Sequence, residues 1–315
     1  MDQAQLTLEP EVAAIVEHVA GGRNFLLSGG AGSGKTYSLV QVIGELLRTD
    51  PAATIACITY TNAAVHEIES RVSDRRLAVS TIHDFLWNAI GTYQRELKAV
   101  LVDLLGGEDP AIKPGSAVVG PAMFDGKVIR YKEYRLLGEG IISHDEVIAV
   151  AHRLFADYPK LRDIVRDRFR YVLVDEYQDT APEVIAILLD FLPQSTKRGV
   201  CGFFGDSMQA IYDDGVGDVR VRIDQGQLFE VKKEQNRRNP RLVFELANKL
   251  RDDGIVQRAS EDRSAPNMQD GKVKDGTVRF YYGTADVTTL QDVRDHLGWD
   301  FSDVVGTKEL NLTHN

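Results

Sequence analysis

The sequence predicts an α/β fold in which a parallel sheet carries helices on both faces. Short apolar runs alternate with segments of helical periodicity along much of the 315 residues. Such alternation favours parallel strands joined by crossover helices. Two further observations agree with this fold: a glycine-rich loop lies between the first strand and the second helix, and an acidic pair ends a later strand.

The first third of the chain supplies the opening elements of this sheet. Apolar residues spaced three and four apart predict the helices, and short apolar runs predict the strands. The expected elements are a helix over 7–22, a strand over 25–27, a helix over 38–47, a strand over 54–59, a helix over 62–72 and a strand over 79–82. This order is typical of a parallel α/β sheet.

The pattern changes between residues 93 and 165, where we expect a small inserted subdomain. A helix over 92–105 leads into a Gly/Pro-rich linker and a predicted hairpin with Asp125-Gly126 at its turn. Ser143 and Glu146 form a capping box, which predicts that a helix begins there. Strands then resume over 170–176, 199–206 and 228–232, followed by a helix over 240–251 and a third region from residue 277.

Composition limits the class of protein. An apolar content of 43% suffices for sizeable cores. The acidic start MDQAQLTLEPE does not resemble a signal peptide, and no apolar run approaches the ~18 residues of a membrane helix. We therefore expect a cytoplasmic location and no membrane partner. Cys57 and Cys201 lie alone in strand-like runs and are predicted to be core thiols.

The charge of the chain does not identify its binding partner. The net charge of −10 argues against a nonspecific nucleic-acid coat but not against a local groove. Basic residues cluster in LRDIVRDRFR, 161–170, and in KKEQNRRNPR, 232–241. Such runs are usually solvated faces, so charge alone does not decide whether nucleic acid binds.

The stretch SGGAGSGKT, residues 28–36, fits the phosphate-loop pattern G-x-x-x-x-G-K-[ST] in full. Its glycines let backbone N–H groups point inward, and the following helix adds a partial positive charge where phosphate would lie. Lys35 is predicted to contact the β- and γ-phosphates and Thr36 to ligate Mg²⁺. The predicted nucleotide-binding residues of this loop are Gly29, Gly30, Ala31, Gly32, Ser33, Gly34, Lys35 and Thr36. The sequence thus predicts a P-loop NTPase with ATP and Mg²⁺ as cofactors.

An acidic pair completes the predicted site. YVLVDEYQDT, 171–180, places Asp175 and Glu176 at the end of a strand, and parallel strands deliver such residues to the phosphate-loop edge of the sheet. Asp175 can hold Mg²⁺, and Glu176 can polarise the water that attacks the γ-phosphate. Together with the phosphate loop, the pair indicates a nucleotide-hydrolysing site.

Six stretches, the phosphate loop and the acidic pair among them, occur in the order known from one family. These are GGAGSGKT, ITYTNAAVHEI, TIHDF, VDEYQDT, GDSMQAIY and QNRRNP. Through these six stretches, over about residues 6 to 250, the chain resembles the UvrD/Rep/PcrA-type superfamily 1A DNA helicases. The motor domains of that family are RecA-like. The segment GIISHDEVI also resembles the small insertion of shorter helicases of this group, including the helicase-like subunit of Gabija-type phage-defence systems.

The resemblance implies roles for individual residues. Gln209 would sense the γ-phosphate, and Arg238 would be the arginine finger that stabilises charge on the transferring phosphoryl group. Tyr60 and Tyr212 would stack on DNA bases, and further contacts with the strand would come from Thr59, Asn62, Thr81 and His83. Without the motifs, these two tyrosines would be interpreted as half-buried aromatics at strand ends, His83 as a helix-start histidine and Arg238 as a solvated cation.

Several positions depart from the family. Pro10 and Glu11 lie where relatives carry an adenine-reading Gln. Relatives often have Arg after GKT and Tyr before the finger arginine, whereas this chain has Tyr37 and Arg237. We hypothesise that a stacking and cation–π sandwich on the base persists with its sides exchanged. After motif III the chain reads IYDDGVGD, so a stacking residue of relatives is missing, and motifs V and VI do not occur before residue 315.

The resemblance implies a division of the chain and a function. The expected parts are motor domain 1A over 1–92 and 166–265, the inserted subdomain 1B over 93–165, and the start of domain 2A over 277–315. The expected function is an ATP-dependent DNA helicase or translocase motor lobe on single-stranded DNA, with 3′–5′ polarity when complete and little hydrolysis by these residues alone. The alternatives are a DNA-sensing ATPase switch that regulates a partner nuclease, and a P-loop ATPase unrelated to DNA.

Overall fold

The computed structural model describes residues 8–106, 110–115, 118–210, 219–282, 290–303 and 306–308. Its α-helices are α1 (Pro10–Ala20), α2 (Lys35–Thr49), α3 (Asn62–Arg71), α4 (Ile82–Ile90), α5 (Gln94–Leu105), α6 (His144–Asp157), α7 (Pro159–Arg168), α8 (Pro182–Ala186), α9 (Val219–Asp224), α10 (Arg241–Leu250) and α11 (Leu290–Leu297). Its strands are β1 (Phe25–Gly29), β2 (Ile55–Thr59), β3 (Leu77–Thr81), β4 (Arg130–Tyr131), β5 (Ile141–Ile142), β6 (Tyr171–Asp175), β7 (Val200–Gly205), β8 (Phe229–Lys233), β9 (Gln235–Asn236), β10 (Arg258–Ala259), β11 (Met268–Gln269) and β12 (Lys272–Val273).

Six strands form the central sheet in the order β3-β2-β6-β7-β1-β8. Every neighbouring pair is parallel. Strands of such a sheet are covered on both faces, which explains why β1, β2, β6 and β7 are buried along their whole length. The predicted α/β fold of P-loop NTPase type is confirmed.

Side-chain alternation along the strands divides the interior into two apolar layers. On β1, Phe25 and Leu27 face the layer built with α1 and α2, whereas Leu26 faces the layer built with α4 to α8. Cys57 and Cys201 lie one in each layer, and both are buried free thiols, as predicted. Helices therefore cover both faces of the sheet.

The segment between 93 and 165 packs against the second of these layers. Leu97 and Leu101 of α5 and Leu154 and Phe155 of α6 share one apolar core with the sheet residues Val172 and Val174. The predicted capping box opens α6: the backbone N–H of Ser143 donates to Glu146 Oε2 at 2.9 Å. The predicted domain boundaries stay a prediction.

The predicted hairpin at Asp125-Gly126 is wrong. Gly126 does lie in a turn with a φ of 69°, but no paired strands flank it among the described residues. Instead β4 pairs in parallel with β5. Phe124, directly before the turn, is buried in the shared core, so burial of this side chain and not strand pairing fixes the segment.

The parallel sheet brings the carboxyl ends of β1, β6 and β7 together at one edge, because these strands are neighbours. The glycine-rich loop, the acidic pair and the GDSMQ segment follow them in turn. No helix in the described part of the chain is both long and apolar enough to cross a bilayer.

Candidate active site

The glycine-rich loop turns from β1 into α2 through two left-handed residues. Gly32 and Gly34 have φ angles of 82° and 86°, which L-residues with a side chain rarely adopt. Gly34 precedes the first residue of α2, so the free N–H groups of that helix face the loop. The geometry is that of an anion site at a helix N-terminus, with the helix dipole adding positive potential.

Lys35 is buried inside this loop. Its Nζ donates to the carbonyl oxygen of Gly29 at 2.9 Å. Burial lowers the pKa of Lys35, and the nearby carboxylates of Glu176 and Asp206 oppose that shift. The ammonium group therefore lies between the loop and the acidic residues, where a bound phosphate would meet it.

Asp175 ends β6 with a carboxylate that the protein leaves only partly satisfied. Its Oδ1 is buried and accepts no hydrogen bond within the described residues. Burial and the neighbouring Glu176 raise the pKa of Asp175 to about 7. An orphaned buried carboxylate oxygen fits Mg²⁺, which prefers oxygen ligands and keeps waters and phosphate oxygens for the rest. Thr36, the other predicted ligand, lies in the first turn of α2.

Mg²⁺ would need the nucleotide here. No group of three or more His, Cys, Asp or Glu side chains in the described ranges could hold a metal by itself. Asp175 and Thr36 would supply the protein ligands, which agrees with the usual binding of this ion through one or two side chains plus substrate phosphates.

Glu176 has a strained backbone that its neighbours hold in place. Its φ and ψ of 50° and 49° lie in the left-handed region, which is uncommon for a residue with a side chain. Gln178 Nε2 donates to Glu176 Oε2 at 2.8 Å, while Gln178 Oε1 accepts from the backbone N–H of Asp206 at 3.1 Å. The buried Gln178 thus fixes the predicted general base relative to β7; sequence reasoning did not identify it.

Asp206, directly after β7, organises a second buried network. It accepts from Gln209 Nε2 at 2.6 Å and from both terminal nitrogens of Arg251, at 2.7 and 3.0 Å. Burial opposes ionisation of Asp206, but the hydrogen bonds from Arg251 and Gln209 outweigh it and hold its pKa below the usual range. Gln209, the predicted phosphate sensor, is therefore tied to the end of α10. Arg251 lies outside every quoted motif, so its role was missed.

The segment after β8 wraps over the phosphate loop. The side-chain amides of Asn236 and Asn239 donate to the carbonyl oxygen of Ala31 at 2.8 and 3.0 Å. The backbone N–H of Arg237 donates to Gly32 O at 2.9 Å. These contacts place Arg238 beside the loop with its side chain exposed, and no described residue pairs with its guanidinium.

Tyr37 and Arg237, the predicted base sandwich, contact each other. The Arg237 guanidinium lies 5.4 Å from the centre of the Tyr37 ring. Arg237 also pairs with Glu9 at 3.5 Å and with Asp262. Both side chains lie beside the loop, but they contact each other, and a base could lie between them only if they moved apart. The base sandwich therefore stays a prediction.

A buried ion pair supports the loop from behind. Lys233, at the end of β8, is 1% exposed and pairs with Glu9; its Nζ also lies 2.6 Å from Ser38 Oγ on α2. Ser38 Oγ in turn donates to Glu9 Oε2 at 2.6 Å. Part of the basic run 232–241 is thus structural. The same holds for run 161–170, where Arg162 and Arg166 are buried.

The predicted DNA contacts lie mainly at the ends of β2 and β3. Thr59 ends β2 with a buried Oγ1 that has no hydrogen-bond partner among the described residues, Tyr60 follows it, and Asn62 begins α3. Thr81 ends β3 and caps α4, whose second residue is His83. Since β2 and β3 are adjacent, these five residues share one edge of the sheet. Tyr212 lies outside the described residues.

The buried Asp175 predicts a dependence of stability on pH. Its folded pKa of about 7 lies above the ordinary 3.8. Folding therefore favours the protonated acid, and the unfavourable contribution grows between pH 4 and pH 7 and is complete above pH 7. We expect Asp175→Asn to stabilise the ligand-free chain at pH 8, raising its free energy of unfolding by up to about 4 kcal/mol and therefore its thermal midpoint. Scanning calorimetry should show no gain near pH 4; a gain of equal size at both values would contradict this.

Known families and proteins resemble the chain as follows. The family described as "AAA domain" matches residues 12–214. Gabija protein GajB of Bacillus cereus is 26% identical over an alignment of 371 positions, gaps included, that covers 88% of this chain and 53% of that protein. ATP-dependent DNA helicase UvrD1 of Mycobacterium tuberculosis is 25% identical over an alignment of 308 positions, gaps included, that covers 79% of this chain and 40% of that protein. The resemblance inferred from the motifs is confirmed.

The matches cover only part of each relative. The chain spans about half the length of GajB and less of UvrD1. Among solved structures, the Pif1 helicase of Candida albicans matches with a TM-score of 0.38 and 14% identity, covering 72% of this chain and 40% of that one.

Proposed function

The chain belongs to the AAA-domain family that matches residues 12–214, and on this premise we propose that it is the ATP- and Mg²⁺-binding motor lobe of a DNA helicase or translocase. In this proposal it binds single-stranded DNA and moves 3′ to 5′ when complete. The single observation that carries the proposal is the convergence of the phosphate loop, the acidic pair and the Asp206–Gln209 network at one sheet edge. The predicted DNA residues follow neighbouring strands of that edge.

Each site residue has its own role in the proposed hydrolysis. Bound Mg²⁺ would offset the negative charge of the phosphates. Lys35 and the loop N–H groups hold the phosphates, Asp175 and Thr36 hold the ion, and Glu176 accepts a proton from the attacking water. Arg238 follows the segment that contacts the phosphate loop, and none of the described residues pairs with its guanidinium, so it is available to developing charge on the γ-phosphoryl group.

The geometry also supports coupling between ATP and DNA. Gln209 reaches Asp206, which follows the strand β7 that lies between the phosphate-loop strand and the acidic-pair strand. Tyr60, 42% exposed, follows β2 on the far side of β6. One sheet therefore connects the phosphate sensor to the proposed stacking residue, and the proposed coupling would act through it.

A second candidate function is a DNA-sensing ATPase switch that regulates a partner nuclease in phage defence. The similarity to a Gabija protein favours it. Both candidates use the same nucleotide and DNA sites, and they differ in whether hydrolysis moves the chain along DNA. Displacement of streptavidin from end-labelled single strands would distinguish movement from sensing. A cytoplasmic location stays a prediction for either function.

The first test is ATP hydrolysis with and without single-stranded DNA, with Lys35→Ala as the blank. We expect slow hydrolysis by these residues alone, which DNA stimulates and Lys35→Ala abolishes, because Lys35 is the buried cation of the phosphate loop. ATP binding without hydrolysis would mean that a further polypeptide must complete the site. Hydrolysis that ignores DNA, by a chain that binds no DNA, would contradict the proposed function and favour an ATPase unrelated to DNA.

A further inference from the structure

A cavity of about 570 Å³ lies at the edge of the sheet opposite the phosphate loop. We call it the rear cavity and define it by the four cations on its wall: Arg166 in α7, Arg170 directly before β6, and Lys197 and Arg198 before β7. We propose that the rear cavity binds a phosphorylated small molecule, whose phosphate is held by Arg166 and Arg198. This site is separate from the proposed ATP and DNA sites, and the inference does not depend on the proposed function.

The starts of three neighbouring strands position the rear cavity. Asn24, Arg170 and Gly199 line it, and they directly precede β1, β6 and β7. The phosphate loop and the acidic pair lie at the other ends of β1 and β6. Because these strands are five residues long, the two edges are about 17 Å apart. A small molecule in the rear cavity therefore does not touch the phosphate loop.

Arg166 is the buried cation of the rear cavity. It is 4% exposed, and its Nη2 donates to the thiol sulfur of Cys201 at 3.3 Å. Its Nη1 is buried and has no hydrogen-bond partner among the described residues. A thiol is a weak acceptor and supplies no opposing charge. The guanidinium of Arg166 is therefore buried without a counter-ion from the described part of the chain.

Arg162, one turn earlier on α7, shows how this protein satisfies a structural arginine. Its three side-chain nitrogens donate to Phe155 O, Gln194 Oε1 and Ala156 O, each at 2.6 Å. Arg166 has no such set of acceptors among the described residues. Burial of a charge without a partner is costly, so an unsatisfied guanidinium beside a cavity indicates a ligand that supplies the missing negative charge.

Gly199 allows the Arg166 guanidinium to lie against the backbone of the cavity wall. A Cβ atom at this position would lie 2.6 Å from Arg166 Nη1 and 2.7 Å from the carbonyl oxygen of Arg170. Contacts this short would displace the guanidinium. Gly199 itself lines the rear cavity. The unsatisfied nitrogen therefore lies directly beside a residue of the wall.

The remaining charges of the wall are also positive. Among the described residues that line the rear cavity, none is an aspartate or a glutamate. Arg170 pairs with Asp50 at 3.0 Å, and Lys197 pairs with Asp167 at 3.0 Å. Arg198 is exposed, and no described carboxylate pairs with it. Two unpaired guanidinium groups on one cavity suit a phosphate, because each can donate two parallel hydrogen bonds to its oxygens.

The apolar part of the wall favours an organic phosphate over the free ion. Val19, Tyr171 and Pro193 line the rear cavity together with the cations. Its volume lies within the range of small-molecule sites, roughly 300–1,000 Å³, which combine apolar walls with a few polar groups. A phosphate ion alone would leave the apolar wall uncovered.

Titration of the whole chain with phenyl phosphate, followed by ligand-observed NMR, tests the site. We expect phenyl phosphate to bind about tenfold more tightly than inorganic phosphate, because its ring covers the apolar wall. Arg198→Gln should weaken phenyl phosphate binding by about 10- to 150-fold through the loss of a charge-assisted hydrogen bond. Arg168→Gln is the matched control: this exposed arginine ends α7 but does not line the rear cavity, so affinity should not change.

The phosphate loop is a second place where phosphates could bind, so Lys35→Ala is titrated in parallel. It should retain the binding that Arg198→Gln removes. Loss of binding in Lys35→Ala, or equal affinity in Arg198→Gln and the unchanged chain, would overturn the rear cavity as the site. Inorganic phosphate that binds as tightly as phenyl phosphate would overturn the organic ligand. Displacement of phenyl phosphate from Lys35→Ala by an oligothymidylate would assign the cavity to nucleic acid instead.

Thermal unfolding gives an independent readout of Arg166. Arg166→Met should raise the midpoint of the ligand-free chain, because it replaces a buried charge that lacks a partner with an apolar side chain. Phenyl phosphate should raise the midpoint of the unchanged chain but not that of Arg166→Met. A lower midpoint for Arg166→Met, with equal stabilisation of both chains by phenyl phosphate, would show that Arg166 is structural and would overturn the proposal. If Arg166→Met does not fold, the Arg198→Gln titration decides.

Discussion

Arg238→Ala is expected to slow ATP hydrolysis by about 10³- to 10⁵-fold, the range that arginine fingers contribute to phosphoryl transfer. The physical reason is geometric. The Asn236 and Asn239 amides clamp the segment onto Ala31 of the phosphate loop, yet no described residue pairs with the Arg238 guanidinium. In the proposed role, this cation would stabilise the charge that develops on the γ-phosphoryl group in the transition state.

Single-turnover hydrolysis with protein in excess over radiolabelled ATP can measure such low rates. The ATP dissociation constant should change far less than the rate, because the finger acts mainly on the transition state. Arg241→Ala is the matched control, since Arg241 lies three residues on and pairs with Asp275 and Glu245 at the surface. A loss below about tenfold for Arg238→Ala would show that this residue is not the finger.

Glu176→Gln is expected to lower the hydrolysis rate by about 10²- to 10⁴-fold while ATP still binds. The amide keeps the shape of the side chain and can still meet Gln178, but it cannot accept a proton from water. Removing the charge also takes away one of the carboxylates that act on Lys35 and Asp175. We therefore expect ATP to bind at least as tightly as in the unchanged chain.

Isothermal titration with Mg²⁺ and ATP, together with the single-turnover rate, separates binding from catalysis. Glu183→Gln provides the control, because this exposed glutamate lies in the first turn of α8 and outside the site. Loss of binding and rate together would mean that Glu176 holds the site in shape. A nearly normal rate would transfer the role of general base to another group.

Local sequence predicted most of the fold. The phosphate loop, the capping box at Ser143 and the four buried strands of the sheet follow from glycines, caps and apolar runs that act over a few residues. The predicted hairpin at Asp125-Gly126 was wrong because turn residues specify only a turn. Whether the flanking segments pair as strands depends on their tertiary contacts. There, burial of Phe124 against distant helices decided the outcome.

The candidate site divides in the same way. Lys35, Asp175, Glu176 and Gln209 were predicted as site residues because each occupies a fixed position within a motif. Arg251 was missed because its partner Asp206 lies 45 residues earlier, and no local spacing reports that contact. Ionic partners can come from any element that folding brings near.

The sequence by itself determined the sheet class, the phosphate loop and the acidic pair, since these depend on short-range backbone preferences and burial. The tertiary structure alone decided which polar groups support them. Lys233 and Glu9, 224 residues apart, form a buried pair behind the loop, and the rings of His83, Tyr131 and His144 meet across three elements. Burial of a charge is costly without a partner, so packing of the whole chain selects those partners.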